Sequence, residues 1–82
     1  MANQHVLRKS RYSYPVIIEQ DENGYFVSCP ALQGCHAQGD TYEEAMRSIE
    51  EAVALHIEAR KARGLPIPSA RGFSFASVEV RA

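Results

Sequence analysis

DTYEEAMRSIEEAVALHIEARKARG, residues 40–64, reads as one long, capped helix, and the rest of the chain is ordered around it. Thr41 stands where an N-cap belongs and Glu44 follows three residues later, the pairing that satisfies two orphan backbone donors reciprocally. Glu43 and Glu44 suit the positive end of the helix dipole; Arg60, Lys61 and Arg63 suit the negative end. Gly64 can take the left-handed conformation that ends a helix, and Pro66 and Pro68 forbid continuation. Ala45, Ile49, Ala52, Val53, His56 and Ile57 recur at three- and four-residue steps, so one face is apolar and needs a partner layer.

That layer is supplied by strands. YSYPVIIEQ (12–20) alternates Tyr12, Tyr14, Val16 and Ile18 on one side, with Ile17 on the other. YFVSC (25–29) follows across Asp21-Glu22-Asn23-Gly24, where Asn-Gly predicts a tight reversal. CHAQG (35–39) gives a short third strand, and FSFASVEV (73–80) a fourth after the helix. In the fourth, Phe73 and Phe75 fall on one side, Val78 and Val80 on the other. The expected class is α+β, in the order β-β-β-α-β, with one face of the sheet covered by the helix. Ile17 and Phe26 are then expected on the uncovered face, which predicts a homo-oligomer, a dimer or larger.

Length and composition narrow the functions. The 82 residues allow one domain (12–82) preceded by a flexible basic segment (1–11) carrying Arg8, Lys9 and Arg11. A formal net charge of −1 lacks the basic excess of a dedicated nucleic-acid binder. No apolar run of signal-peptide length follows Met1, and nothing approaches the ~20 apolar residues of a membrane span. A cytoplasmic protein with reduced thiols and no membrane partner is expected.

CPALQGCHAQGD (29–40) invites a chemical reading, which its spacing does not sustain. Cys29 and Cys35 have five residues between them, wider than the two to four of zinc pairs, and no second Cys/His pair follows. Cys35 and His36 are adjacent, so in a strand they point to opposite faces and cannot form a nucleophile–base pair. Asp40, Glu43 and Glu44 surround the helix start and repel phosphate. Geometry accounts for the loop instead. Pro30 ends the second strand, Leu32 drops into the core, Gly34 permits the turn, and Gly39 releases the third strand into the Thr41 cap. No catalytic residue, metal ligand or cofactor is expected, and no enzymatic activity.

Taken in order, these motifs resemble the HicB family of antitoxins. The matches are Asp21, Gly24 and Tyr25; Pro30, Leu32, Gly34 and Cys35; Gly39, Thr41, Glu44 and Ala45; and Gly64, Pro66 and Pro68. They span about residues 12–80. Ala31 departs from the pattern, which carries an acid after the proline. The resemblance implies a partial ribonuclease-H-like fold and a role in binding and neutralising a small, basic, mRNA-cleaving HicA-type toxin. Complementary charge speeds and orients such docking, so Glu19, Asp21, Glu22, Asp40 and Glu43 are the candidate contact residues. Ribonuclease H chemistry needs converging carboxylates, and the second and third strands hold none. Family members add a C-terminal DNA-binding domain; this chain ends at Ala82, so direct DNA binding is not expected. The alternative is a solitary homo-oligomeric regulatory or ligand-binding domain without a toxin, with a degenerate nuclease or RNA-binding role ranking below it.

Overall fold

A computed structural model describes residues 11–69, 72 and 74–82. Three antiparallel strands, β1 (Ile17–Asp21), β2 (Gly24–Ser28) and β3 (His36–Gly39), lie in the order β1-β2-β3, and one helix, α1 (Tyr42–Ala62), follows. The arrangement is α+β, as the sequence predicts. Residues 1–10 of the expected basic segment, and Phe73 of the expected fourth strand, lie outside the described residues.

β1 pairs with β2 from Ile17↔Ser28 to Asp21↔Gly24, and β2 with β3 from Tyr25↔Gly39 to Ser28↔His36. Residues 12–16, expected within the first strand, carry no strand pairing. β2 ends at Ser28, opposite Ile17, so no strand residue stands across from them; beyond it the backbone N–H of Cys29 donates to the carbonyl of Cys35 at 3.0 Å, on the β3 side. The reversal between β1 and β2 also differs from the expected Asn-Gly geometry. Asn23 does not adopt positive φ; Gly24 alone does, at +130°. The Asp21 Oδ1 accepts the Asn23 N–H at 2.8 Å, an Asx-type bond that shapes the turn.

The loop from β2 to β3 closes on itself. Leu32 N–H donates to the Cys29 carbonyl (3.1 Å), and Cys35 N–H donates to the Leu32 carbonyl (3.0 Å). This pins Leu32, wholly buried, beneath the sheet beside Val27, Cys29, Cys35, Ala45 and Ile49. The helix packs its Ala45–Ile49–Ile57 face inward, and His56 is half-buried at the edge of that face. Burying a residue such as Leu32 or Val27 contributes about 1.5–3 kcal/mol, so this thin cluster is the centre of the fold's stability.

Both helix ends are built from local chemistry. Thr41 Oγ1 accepts the Glu44 N–H at 3.1 Å. The reciprocal bond goes one residue further back than a capping box predicts, from Asp40 N–H to Glu44 Oε1 at 3.0 Å. At the far end, Gly64 N–H bonds the Lys61 carbonyl (3.1 Å) and Leu65 N–H the Arg60 carbonyl (2.9 Å), a Schellman motif. Arg60 Nη1 then donates to the Pro66 carbonyl at 2.9 Å. Tyr14 donates its hydroxyl to the Pro68 carbonyl at 2.7 Å, tying the segment before β1 to the one after α1.

Among the described residues no fourth strand is formed. Residues 74–82 carry no strand, and Phe75, Val78 and Val80 are 76–86% exposed. A strand exists only where a neighbouring edge accepts its hydrogen bonds, and no backbone hydrogen bond joins residues 74–82 to another described residue. The face of the sheet away from α1 is open, and Ile17 and Phe26 stand on it, as the alternation predicts.

Candidate protein-binding site

The β1–β2 hairpin and the start of α1 meet around a cleft of about 480 Å³. Asp21, Asn23 and Gly24 line it from the hairpin, Tyr25 and Phe26 from β2, Gln38 and Gly39 from β3, and Asp40 and Glu44 from the helix start. The closeness of these elements depends on two glycines. A Cβ on Gly39 would lie 2.5 Å from the Ala45 backbone nitrogen and 2.9 Å from the Glu44 Cβ. A Cβ on Gly24 would lie 2.6 Å from the Gly39 carbonyl oxygen. Tyr25 and Tyr42 meet edge to face over the same junction, with ring centroids 6.1 Å apart.

The cleft is acidic and partly pre-organised. Asp21 and Glu44 each have one carboxylate oxygen fixed by a backbone N–H, from Asn23 and Asp40. Their remaining oxygens and the Asp40 carboxylate are left for an incoming donor. Among the described residues, no Lys or Arg forms an ion pair with these three acids. Nor does any group of three or more His, Cys, Asp and Glu among the described residues come together as a metal site.

The five expected contact residues are therefore divided. Asp21 and Asp40 share the cleft, brought together because Tyr25↔Gly39 pairing carries the end of β3 to the hairpin. Glu22 occupies the exposed turn beside it. Glu19 pairs with Phe26 in mid-strand, on the open face of the sheet. Glu43 lies on the other side of the helix start, in a second cleft with Tyr12, Tyr14 and Met46. Glu44 joins the acidic cleft although the sequence suggests only a capping role. Its spacing from Asp40 on the helix entry was the available signal.

The cysteine loop is chemically quiet. Both thiols are free and buried, and burial, reinforced by the neighbouring Cys29, pushes the Cys35 pKa up, favouring the thiol. His36 points the other way and lies against Phe26, ring centroids 5.6 Å apart. No described helix is long and apolar enough to cross a membrane.

Comparison with known proteins places this geometry in context. The family model described as "HicB_like antitoxin of bacterial toxin-antitoxin system" matches residues 14–78. The UPF0150 protein ssr1765 of Synechocystis sp. is 47% identical over 64 residues, 77% of this chain and 81% of the relative. Antitoxin HicB 2 of Photorhabdus laumondii is 36% identical over 67 residues, 79% of this chain, and this chain spans about half (48%) of that relative. Among solved structures, a chain of a "HicA3 and HicB3 toxin-antitoxin complex" superposes with a TM-score of 0.59 at 38% identity, over 68% of this chain and 65% of that one.

Proposed function

Because the chain belongs to the HicB-like antitoxin family, we propose that it binds and neutralises a small, basic, mRNA-cleaving HicA-type toxin, with the acidic hairpin–helix cleft as its docking end. An antitoxin of this kind acts by binding and not by turnover. The observation that carries the reading is the convergence of Asp21, Asp40 and Glu44 on one cleft with two of their oxygens already fixed. A toxin that grips RNA must present a positive surface, and a rigid acidic cleft is complementary to it. Fixed carboxylates lose less freedom on docking than mobile ones, so more of each charge-assisted hydrogen bond is kept as affinity. Tyr25 and Phe26 supply apolar wall beside the acids, the mixture of anchor and charge that protein interfaces use.

The test is a titration of a HicA-type toxin from the same host, read by calorimetry and by protection of RNA from cleavage. Charge reversal of both Asp21→Lys and Asp40→Lys should weaken binding about 100-fold, the scale of two lost charge contacts at roughly 1.4 kcal/mol each, and should flatten its salt dependence. Circular dichroism should show the helix retained. Unchanged affinity in the reversed variant removes the cleft from the interface. Failure of the unaltered chain to bind any such toxin removes the antitoxin reading itself.

A further inference from the structure

We propose that residues 74–82 add as a fourth strand to the β1 edge of a second copy of this chain, so that two copies exchange C-terminal arms. The inference does not depend on the toxin reading. Among the described residues, one molecule presents both an unpaired strand-like segment and an unpaired strand edge.

The arm has the pattern of a strand without the partner of one. Phe75, Val78 and Val80 are 76%, 86% and 76% exposed, and no backbone hydrogen bond joins 74–82 to another described residue. In extended form, Phe75, Ser77, Glu79 and Arg81 fall on one side, and Ala76, Val78 and Val80 on the other. Apolar residues on both sides are wasted on a solvated tail but fit a strand set into a sheet.

β1 is the matching edge. Among the described residues it has β2 on one side and no strand on the other, and all five of its residues are exposed. The two-residue turn makes Asp21↔Gly24 a hydrogen-bonded pair, so by alternation Ile18 and Gln20 aim their N–H and carbonyl groups away from β2. β1 is also apolar on both sides at its start, with Ile17 on the open face and Ile18 on the helix side, each 36% exposed. Laying Val78 and Val80 beside Ile18 puts Phe75 on the face that carries Ile17 and Phe26. Arg81, the arm's one cation, then comes to the face that carries Glu19 and Asp21, with Glu79 between. An open apolar edge of this kind is normally paired or covered.

The path of the chain selects a second copy over the chain's own edge. Pro66 and Pro68 hold the lead out of α1 extended and stiff. Tyr14 already fixes Pro68 beside the segment entering β1, yet the arm does not fold back along that strand. The described chain is 63 Å long and 29 Å across, against about 32 Å for a 21-residue helix. Its radius of gyration is 16.4 Å, against about 12 Å for a compact chain of this length. An arm that stands off its own body can reach another. Reciprocal exchange is a low-cost route to a dimer, and a thin-cored small domain gains from the added burial.

The full chain should sediment as a dimer at tens of micromolar. Val78→Pro removes a donor in the middle of the arm and should leave a monomer with the same helical circular dichroism. Ile18→Asp, on the receiving edge, should do the same and provides a second route if one variant misfolds. A monomeric parent chain overturns the proposal, as does a dimer that survives Val78→Pro. Hydrogen exchange separates the remaining arrangements. Protection of amides 75–81 in a monomer shows docking on the chain's own edge, and protection only after a toxin is added shows that the toxin covers the arm. Either result also overturns the exchange.

Discussion

The block from Cys29 to Ala45 and the arm from 74 to 82 are built on opposite terms. In the block, nearly every group is answered within a few residues. Cys29, Leu32 and Cys35 bond one another through the backbone, Thr41 and Glu44 cap the helix, and Gly39 lets backbone meet backbone. In the arm, three large apolar side chains stand in solvent. The difference is that the block's partners are near in sequence, whereas the arm has no backbone partner among the described residues. Stability should therefore be concentrated in the block, and assembly should be the business of the arm.

Mutations can set these two regions against each other. Gly39→Val should have the largest effect, about 4 kcal/mol and enough to threaten folding, because the new side chain would meet Ala45 and Glu44 backbone atoms within 3 Å. Gly34→Ala, at φ +80° with nothing within 4 Å, should cost only about 1 kcal/mol for its backbone conformation. Urea denaturation of the pair checks this, and equal midpoints would mean that close approach does not govern the junction. Leu32→Ala should cost about 3 kcal/mol, whereas Leu55→Ala, on a side chain 68% exposed, should stay within about 0.5 kcal/mol. A large Leu55 effect would reveal a covered surface there.

The smallest effect is in pH. Burial raises the pKa of the Cys35 thiol, with Cys29 adding to it; burial also raises that of Tyr14, with Cys29 and Tyr12 adding and Arg60 opposing. Both groups favour their neutral forms in the folded chain, so their contribution is complete below the unfolded values, about 8.5 for a thiol and 10 for a tyrosine. It is lost as pH rises through the higher folded values. Thermal melts should therefore decline above about pH 9, less steeply in Cys35→Ala, and less steeply again with Tyr14→Phe added. Identical slopes in all three proteins would contradict this account.

The sequence speaks most clearly where the physics is local. Thr41, Glu44 and Gly64 mark the helix ends because caps act over three or four residues, and the alternation around Ile17 and Phe26 identifies the open face. Pairing limits were harder to see. The first strand begins at Ile17 instead of Tyr12 because β2 ends opposite it, a fact about another segment. The fourth strand reads as a segment with apolar residues on both sides, yet residues 74–82 carry no strand, because the pattern cannot supply the edge it needs. At the candidate site, the sign and exposure of Asp21 and Asp40 were visible, but their meeting depends on the β2–β3 register. Glu44 was obscured by its own capping motif, since one side chain serves both purposes.

The self-closed turn at Cys29–Cys35 also bears on how the chain can vary. A surface connection between two strands ordinarily accepts extra residues. Here the spacing is counted: Leu32 receives and returns a backbone bond while filling the core, and Cys29 must still meet Cys35. One inserted residue would displace Leu32 or shift β3 by a step, turning His36 inward and Ala37 outward. The exposed Gln33 is free to change in kind, but the connection is not free to change in number. What looks like a variable loop acts as a ruler for the register of β3, and through it for the place where Asp40 meets Asp21.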